Sequence, residues 1–231
     1  METNRFQLFD APHLLVLASI PAIAVALAWW ARSHGSVDRP IRHIFASLIV
    51  ANELLWYGYL FGKGWVTFPY SLPINLCDLV IWMTVFTCLR PTSRFSELIY
   101  YWGLAGSSMA LLTPDVSSPL SSYLTIRFFL SHGLTIAAIL FLLWSNHLAV
   151  QRGSIWRALI WLNVYAIVVG VFNIIFRTNY FFLCEKPGGA SLLDYFGPWP
   201  WYILAGEAAA VALFALLWIP FLRSPPLHKA S

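Results

Sequence analysis

The sequence is organised around the segment Leu72-Pro73-Ile74-Asn75-Leu76-Cys77-Asp78-Leu79. It places a thiol, a carboxylate and a carboxamide inside an apolar stretch that continues to Leu89. Such groups are costly in hydrocarbon unless they are paired, buried within a bundle or used. A proline is accommodated in the first turn of a helix, where its missing N–H has no partner. Pro73 therefore predicts a helix that starts near residue 72 and holds Cys77 about one turn inside it.

Composition indicates an integral membrane protein. Of 231 residues, 59% are hydrophobic and only 10% are charged, and the mean hydropathy is +0.70. Soluble domains carry about 25% charged residues, so too little polar material is present to coat a globule. The basic residues are scattered over connectors, which argues against a nucleic-acid partner.

Apolar stretches predict seven transmembrane helices, because one spanning helix needs about 20 residues. The expected spans are 13–31, 41–61, 72–89, 96–112, 122–146, 155–176 and 199–222. A short tail, 223–231, follows them. The predicted fold class is therefore an all-α membrane bundle that forms one domain over residues 1–231, with no visible internal repeat. The apolar run Leu14 to Ala31 is long enough for a full span, so it is not expected to be a cleaved signal.

The distribution of lysine and arginine predicts the orientation. The connectors after spans one, three and five, together with the tail, hold nine basic residues: Arg32, Arg39, Arg42, Arg90, Arg94, Arg152, Arg157, Arg223 and Lys229. The opposite side holds four: Arg5, Lys63, Arg177 and Lys186. Cytoplasmic loops carry the excess of positive charge. The N-terminus is therefore expected outside and the C-terminus in the cytoplasm.

Polar residues are predicted to gather in the outer half of the membrane. At about 1.5 Å of rise per residue, Cys77 and Asp78 fall about 8–9 Å below the outer surface and His132 about 15 Å below it. The residues expected in the same layer are Glu53, Arg127, Asn173 and Glu207. His132 is the only histidine expected at depth. This clustering predicts a polar cavity that opens toward the outer leaflet.

A thiol, an imidazole and a carboxylate at one depth suit acyl transfer. Cys77 would attack an ester carbonyl and hold the acyl group as a thioester. A buried thiol needs a base to accept its proton, and His132 is the candidate. Glu53 would orient the imidazole. No metal-ligand spacing is present among the three cysteines, and no metal or cofactor is expected.

Structural alternatives exist for each of these residues. Cys77 alone would commonly be a small packing residue, or it could form a disulfide with Cys184. Glu53 and Glu207 could pair with Arg127 simply to hold helices together. His132 could be a hydrogen-bonded packing residue.

Several motifs identify a resemblance to a known family. They are the segment 72–79, Leu111-Leu112-Thr113-Pro114-Asp115, Arg127-Phe128-Phe129-Leu130-Ser131-His132-Gly133, Thr178-Asn179-Tyr180-Phe181-Phe182-Leu183, Lys186-Pro187, and Ser191-Leu192-Leu193-Asp194-Tyr195-Phe196-Gly197-Pro198-Trp199-Pro200-Trp201-Tyr202. With these motifs the whole chain resembles the YwaF-like integral membrane proteins, a bacterial group related to animal transmembrane protein 164.

The resemblance implies a multi-helix fold in a bacterial cytoplasmic membrane and an activity on membrane phospholipids. The animal branch is associated with transfer of fatty acyl chains between phospholipids, particularly onto lyso ether lipids, through an intramembrane cysteine. By motif, that cysteine is Cys77 and its paired histidine is His132.

The remaining site residues fall into two expected groups. Four are expected to support or orient the reacting groups: Glu53, Asp78, Asn75 and Arg127. Six are expected to bind substrate: Asn173, Asn179, Tyr180, Trp199, Trp201 and Glu207. The alternative function is a transporter or small-molecule-binding membrane protein that uses Glu53, Glu207 and Arg127. Against transport, no inverted repeat is visible.

Overall fold

A computed structural model describes residues 6–91, 93–116, 118–151, 153–188 and 192–222, with the side chains of all of these except 93, 94 and 192. Within these ranges the chain is helical and forms no β-strand. The α-helices are α1 (Ala11–Ser33), α2 (Asp38–Gly62), α3 (Leu76–Leu89), α4 (Ser93–Leu98), α5 (Leu104–Leu112), α6 (Tyr123–Trp144), α7 (Ser154–Phe176) and α8 (Trp201–Trp218). The all-helical fold class is confirmed. The predicted tail, 223–231, lies outside the described residues.

Five of these helices are long and apolar enough to cross a membrane: α1, α2, α6, α7 and α8. Helix α3 has 14 residues and is apolar but shorter. The fourth expected span is divided into α4, one turn of π-helix over Ile99–Gly103, and α5. The count of seven spans and the orientation of the termini therefore stay predictions.

Local sequence explains where the helices begin. The Asp10 side chain accepts the His13 N–H at 2.8 Å and caps α1, and the Ser122 hydroxyl accepts the Thr125 N–H at 3.2 Å and caps α6. Such caps satisfy backbone donors that have no partner inside the helix. Helix α7 begins after Gly153, whose φ of +78° is readily adopted only by glycine.

Helix α6 is the central helix of the bundle. Helices α1, α2, α3 and α5 pack against it, and its buried side chains run along most of its length. The helices alternate in direction, so the start of α3 and α6 and the end of α2 and α7 share one end of the bundle, here called the Cys77 end. The opposite end is called the Cys88 end.

The π-helical turn joins α7 and α8 to this core. Its three aromatic side chains bond to other helices: the Tyr100 hydroxyl donates to the Leu217 carbonyl at 2.7 Å, Tyr101 lies 3.0 Å from the Ser154 hydroxyl, and Trp102 donates to the Ala158 carbonyl at 3.1 Å. Gly103 ends the turn, and a Cβ there would overlap the Ile139 side chain. The close approach to α6 therefore favours glycine, because any larger residue would displace the Ile139 side chain.

A charged cluster closes the Cys88 end. Asp38 accepts from Arg42 at 3.0 Å and from His147 at 2.8 Å. Arg42 also donates to the carbonyl oxygen of Cys88 at 2.7 Å. The start of α2, the end of α3 and the segment after α6 are thereby fixed together.

Candidate functional site

Cys77 is the second residue of α3 and lies half-buried at one end of the bundle. The prediction that the helix starts near Leu72 is wrong, because α3 begins at Leu76 with Asn75 as its N-cap. Pro73 precedes the helix instead of occupying its first turn. Asp78 explains the difference, since its carboxylate accepts the Asn75 N–H at 3.0 Å in a capping box.

Hydrogen bonds from other parts of the chain hold the four residues before the helix. The Leu72 N–H donates to the Tyr180 hydroxyl at 2.9 Å. Tyr165 donates its hydroxyl proton to the Ile74 carbonyl at 2.8 Å. The Asn75 side-chain oxygen accepts the Phe181 N–H at 3.1 Å. The backbone that leads to Cys77 is therefore positioned by α7 and by the loop after it.

Asn173 and Asn179 organise that loop. The Asn173 side chain is buried and bonds to the Thr178 hydroxyl, the Tyr180 N–H and the Tyr180 carbonyl at 2.8–2.9 Å. The Asn179 side chain bonds to the backbone of Cys184 and Glu185. These side chains, expected to bind substrate, are engaged by protein groups. Their role in substrate binding stays a prediction.

The two tryptophans expected at the site lie on the surface. Trp199 donates from its indole nitrogen to the Leu183 carbonyl at 3.1 Å, which ties the segment before α8 to the same loop. Trp201, at the start of α8, is 63% exposed.

Glu53 and Arg127 form an ion pair between α2 and α6. Arg127 Nη2 lies 3.3 Å from both carboxylate oxygens of Glu53, and the Ser131 hydroxyl donates to the same carboxylate at 3.2 Å. The guanidinium stacks 4.5 Å above the Trp56 ring. Glu53 is only 3% exposed, so this pair is buried. It is the structural alternative that the sequence left open for Glu53.

The ion pair lies near the start of α3. Asp78 is close enough to Glu53 and Arg127 to interact electrostatically with both, and the Cys77 thiol is close enough to Arg127. The structure therefore brings together four of the predicted site residues, which come from α2, α3 and α6.

His132 is buried one turn beyond Arg127 on α6. Its Nδ1 lies 3.0 Å from the Phe128 carbonyl oxygen. Because a carbonyl oxygen can only accept, Nδ1 carries the proton and Nε2 of the neutral ring presents a lone pair. Among the described residues no hydrogen bond joins His132 to Cys77. The predicted pair is therefore not formed in this structure, and its catalytic role stays a prediction.

His13 is a second buried histidine, so the expectation that His132 is the only histidine at depth is wrong. Its Nδ1 accepts the Phe9 N–H at 3.0 Å, and its Nε2 lies 2.8 Å from the Leu111 carbonyl oxygen. Both ring nitrogens are engaged by backbone, which fixes the tautomer and indicates a structural role. The sequence signal for this role was the position of His13 three residues after Asp10, which caps α1.

Glu207 contacts Asn163 and not Arg127. Asn163 Nδ2 donates to the Glu207 carboxylate at 2.8 Å and so joins α7 to α8. The alternative in which Glu207 pairs with Arg127 is wrong, because Arg127 is bonded to Glu53. All three cysteines are free, so the disulfide alternative between Cys77 and Cys184 is not formed.

Two cavities lie beside the Glu53–Arg127 pair. One, of about 200 Å³, is lined by Trp56, Asp115, Val116, Ser118, Leu124, Thr125, Arg127 and Phe128. The other is an open groove of about 650 Å³ lined by Ala51, Leu54, Leu55, Gly58, Tyr59 and Tyr123. Neither is lined by Cys77 or His132. In the described residues, no group of three His, Cys, Asp or Glu side chains is arranged to hold a metal ion.

Comparisons with known proteins agree with the resemblance. A sequence model of the TMEM164 family matches residues 8–218. An uncharacterised protein of Treponema pallidum (strain Nichols) is 27% identical over 229 residues, which cover 95% of this chain and 92% of that protein. No solved structure matches the chain.

Proposed function

Because the chain belongs to the TMEM164 family, we propose that it is a multi-pass protein of the bacterial inner membrane that transfers fatty acyl chains between phospholipids through a thioester on Cys77. The observation that carries the proposal is the placement of this free thiol. Cys77 stands at the start of α3, on a backbone segment held by Tyr165, Tyr180 and Asn75, and within electrostatic range of Arg127.

The reaction has two steps, acylation of Cys77 and transfer of the acyl group to an acceptor. In the first, Cys77 Sγ attacks the ester carbonyl carbon of a phospholipid and His132 Nε2 takes the thiol proton. The ester C–O bond then breaks, and His132 returns the proton to the departing lysophospholipid oxygen. In the second step the hydroxyl of another lysophospholipid attacks the thioester with His132 again as base, and Cys77 leaves as the thiol. If water replaces that hydroxyl, the outcome is hydrolysis.

The mechanism requires His132 Nε2 to reach Cys77 Sγ when substrate is bound. Catalytic hydrogen bonds are often long or unformed without substrate and tighten in the complex. The Nδ1–H bond to Phe128 supports the role, because it leaves Nε2 as the basic nitrogen. Arg127 lies within electrostatic range of the thiol and favours its negative charge during attack, whereas the adjacent Asp78 carboxylate opposes it.

Intact-protein mass spectrometry of the purified chain tests the proposal. We expect an acyl adduct on Cys77 after incubation with phospholipid, and its absence in Cys77→Ala. Cys88→Ala is the matched control, because Cys88 is fully buried at the other end of α3. Identical lipid acyl profiles in cells that express equal amounts of wild type and Cys77→Ala, with a wild-type effect over empty vector, would contradict the proposal.

A second candidate is a transporter or small-molecule-binding protein. The observation in its favour is that Arg127 lines one of the two cavities, whereas Cys77 lines neither. In that case the lipid composition of the cells would be the same with and without the Cys77 thiol. Substitution of Arg127 would abolish transport or binding of the small molecule.

A further inference from the structure

Helix α8 lies at the edge of the bundle and leaves most of its surface open. Only two of its side chains, Tyr202 and Phe214, are buried. The neighbouring helix α7 is also open along one side, where Ile160 and Ile167 are 61% and 67% exposed. Lipid tails are as apolar as these side chains, so the apolar character of the surface alone predicts no protein partner.

One polar pair interrupts this apolar surface. Asn163 of α7 donates from Nδ2 to Oε1 of Glu207 on α8 at 2.8 Å. Asn163 is exposed and Glu207 is half-buried. The residues one turn before and after Glu207 on the same side of α8, Leu204 and Val211, are exposed as well. The pair therefore lies on the outer surface of the bundle and not in its interior.

Both polar side chains lie well inside their helices. Glu207 follows Trp201, the first residue of α8, by about 9 Å along the helix axis, and Asn163 follows Ser154, the first residue of α7, by about 14 Å. Where these helices cross the membrane, both side chains are at the depth of the hydrocarbon. Ionisable residues at such depth almost always face a bundle interior or a water-filled cavity. A carboxyl group on the outer surface therefore indicates that another protein surface covers it.

Each member of the pair keeps one group without a hydrogen bond. Asn163 Nδ2 is used twice, by Glu207 and by the Leu159 carbonyl oxygen at 3.0 Å. Within the described part of the chain, Asn163 Oδ1 and Glu207 Oε2 take part in no hydrogen bond. A neutral carboxyl group is far less costly in hydrocarbon than a charged one, and the neutral group has an O–H to donate. The pair thus offers one free donor and one free acceptor.

We propose that two copies of the chain associate through the α7–α8 face, which consists of Asn163, Glu207 and the exposed residues Ile160, Ile167, Leu204 and Val211. Glu207 of one copy donates its O–H to Asn163 Oδ1 of the other, and the two-fold symmetry of the dimer repeats this bond in the opposite direction. The two bonds, with the Asn163–Glu207 bond inside each copy, close a ring of four side chains. A second copy is the occupant favoured here, because it supplies the missing donor and the missing acceptor from the same two residues. The proposal does not rest on acyl transfer.

Insertion into a membrane restricts the geometry of this dimer. Both copies insert in the same direction, so the two-fold axis runs along the membrane normal, and residues with the same number lie at the same depth. Asn163 and Glu207 meet this requirement, because they are already bonded to each other within one copy. Gly206 and Ala208 flank Glu207 in sequence, and small residues allow helix backbones to approach closely in a membrane.

Fluorescence energy transfer between copies measures the association. The purified chain is labelled with donor or acceptor on the exposed thiol of Cys184 and is reconstituted into vesicles of phosphatidylethanolamine and phosphatidylglycerol. Dilution of the protein in lipid gives the dissociation constant of the dimer. We expect energy transfer above the level of randomly distributed monomers, and we expect it to fall on dilution. Transfer at the random level at every ratio of protein to lipid would overturn the proposal, because lipid would then cover the face.

Two substitutions at Glu207 separate the hydrogen bonds from the carboxyl group itself. Glu207→Leu removes both the donor and the acceptor, so the dissociation constant should rise about tenfold or more, the scale of interhelical hydrogen bonds in model membranes. Glu207→Gln keeps a donor and an acceptor at the same positions, so the dissociation constant should stay within about threefold of the wild-type value. An unchanged dissociation constant in Glu207→Leu would overturn the proposal.

Tyr100→Phe is the control for a loosened α8. The Tyr100 hydroxyl donates to the Leu217 carbonyl at 2.7 Å and so holds α8 to its own bundle, outside the α7–α8 face. This variant should leave the dissociation constant unchanged. If Tyr100→Phe weakens the dimer as much as Glu207→Leu does, the loss comes from the position of α8 and the proposal is overturned.

Cross-linking tests the face with both Asn163 and Glu207 in place. Cys77 and Cys184 are replaced by alanine, so the buried Cys88 is the only native thiol left, and Leu204→Cys then places a thiol on the face. A short lipophilic bis-maleimide should cross-link this variant into a dimer in the membranes of expressing cells. Leu15→Cys is the matched control, because Leu15 lies equally near the start of its helix, α1, and is 69% exposed. It should give no dimer. Absence of a dimer in Leu204→Cys, or equal yields in the two variants, would overturn the assignment of this face.

Discussion

Tyr180 donates a hydrogen bond to the carbonyl oxygen of Pro69 at 2.7 Å, across 111 residues of sequence. The same hydroxyl accepts the Leu72 N–H. One phenol therefore joins the loop before α3 to the loop after α7. Burial raises the pKa of the Tyr180 hydroxyl, so the group keeps the proton that it donates to Pro69.

Tyr180→Phe should destabilise the protein and loosen the segment that leads to Cys77. The loss of this hydroxyl leaves the Leu72 N–H and the Pro69 carbonyl without their partner, which costs about 1–3 kcal/mol. The melting temperature in detergent should fall and alkylation of Cys77 should become faster. Tyr195→Phe is the control, since Tyr195 is 87% exposed. Equal behaviour of the two variants would contradict the role assigned to Tyr180.

Glu53→Gln should strongly destabilise the fold because it leaves the Arg127 charge without its carboxylate. Removal of one partner of a buried ion pair costs about 3–5 kcal/mol. The double variant Glu53→Gln/Arg127→Gln should recover part of this loss, because no uncompensated charge remains. Denaturant unfolding of the two single variants and the double variant measures the coupling.

Glu97→Gln is the comparison for the Glu53 and Arg127 variants, because it removes one partner of a different ion pair. Glu97 pairs with Arg157, whose side chain is 47% exposed, at 2.7 Å between Nε and Oε2. This pair is more open to solvent than the Glu53–Arg127 pair, and pairs near the surface contribute about 0–1 kcal/mol, so this variant should lower stability less than Glu53→Gln. A coupling energy near zero for Glu53 and Arg127 would contradict their description as a buried pair.

His132→Gln should lower acyl transfer by about 10²-fold or more, the usual scale of a general base. Glutamine keeps a polar side chain of similar size but cannot accept and return a proton. Because the two side chains are not bonded without substrate, alkylation of Cys77 by a lipophilic maleimide should change little in this variant. His34→Gln, which changes an exposed histidine at the Cys88 end, should leave both rates unchanged. If His132→Gln leaves the rate of acyl transfer unchanged too, the Cys77–His132 pair is wrong.

The three cysteines should differ in labelling according to their exposure. A water-soluble maleimide should react first with Cys184, which is exposed, and a lipophilic maleimide should also react with the half-buried Cys77. Cys88 should react only after unfolding, because it is fully buried. Peptide mapping of the labelled protein without reducing agent gives the order. A peptide with Cys77 bonded to Cys184 would contradict the free thiols seen here.

Gly103→Ala should destabilise the bundle by about 1–3 kcal/mol, the usual cost of overpacking. The new methyl group overlaps the Ile139 side chain and approaches Val80 at 3.2 Å. Gly106→Ala is the matched control, because a Cβ at Gly106, on the next turn of the same segment, meets nothing within 4 Å. Ile139→Val, which removes the overlapping Cδ1, should restore part of the stability in the Gly103→Ala background. Melting temperatures in one detergent compare the three variants.

Hydropathy alone predicted the all-helical fold and the approximate position of every long helix, because an apolar run of about 20 residues has few other solutions. It did not predict the start of α3. That start depends on Asn75 and Asp78 as a capping box and on Tyr165 and Tyr180, which come from far along the chain. A hydropathy pattern is local along the chain and does not predict hydrogen bonds between distant segments.

The depth estimated from each residue's position along its helix predicted which polar residues lie at the same level better than it predicted which of them pair. Glu53, Asp78 and Arg127 do lie within electrostatic range of one another. Glu207 was expected in the same group but bonds to Asn163. The estimate of depth fixes how far a residue lies along its helix axis and carries no information about the direction in which the side chain points. The partners of Glu207 and His132 therefore required the structure.

The aromatic turn of the π-helix has a consequence for biosynthesis. Tyr100, Tyr101 and Trp102 are made before the Leu217, Ser154 and Ala158 groups with which they bond. Until α7 and α8 have been inserted, these two hydroxyls and the indole N–H stand unsatisfied on a half-built bundle, at a cost of several kcal/mol each in hydrocarbon. A nascent chain stalled at this stage exposes a polar stripe to lipid. That stripe disappears when the last two helices dock.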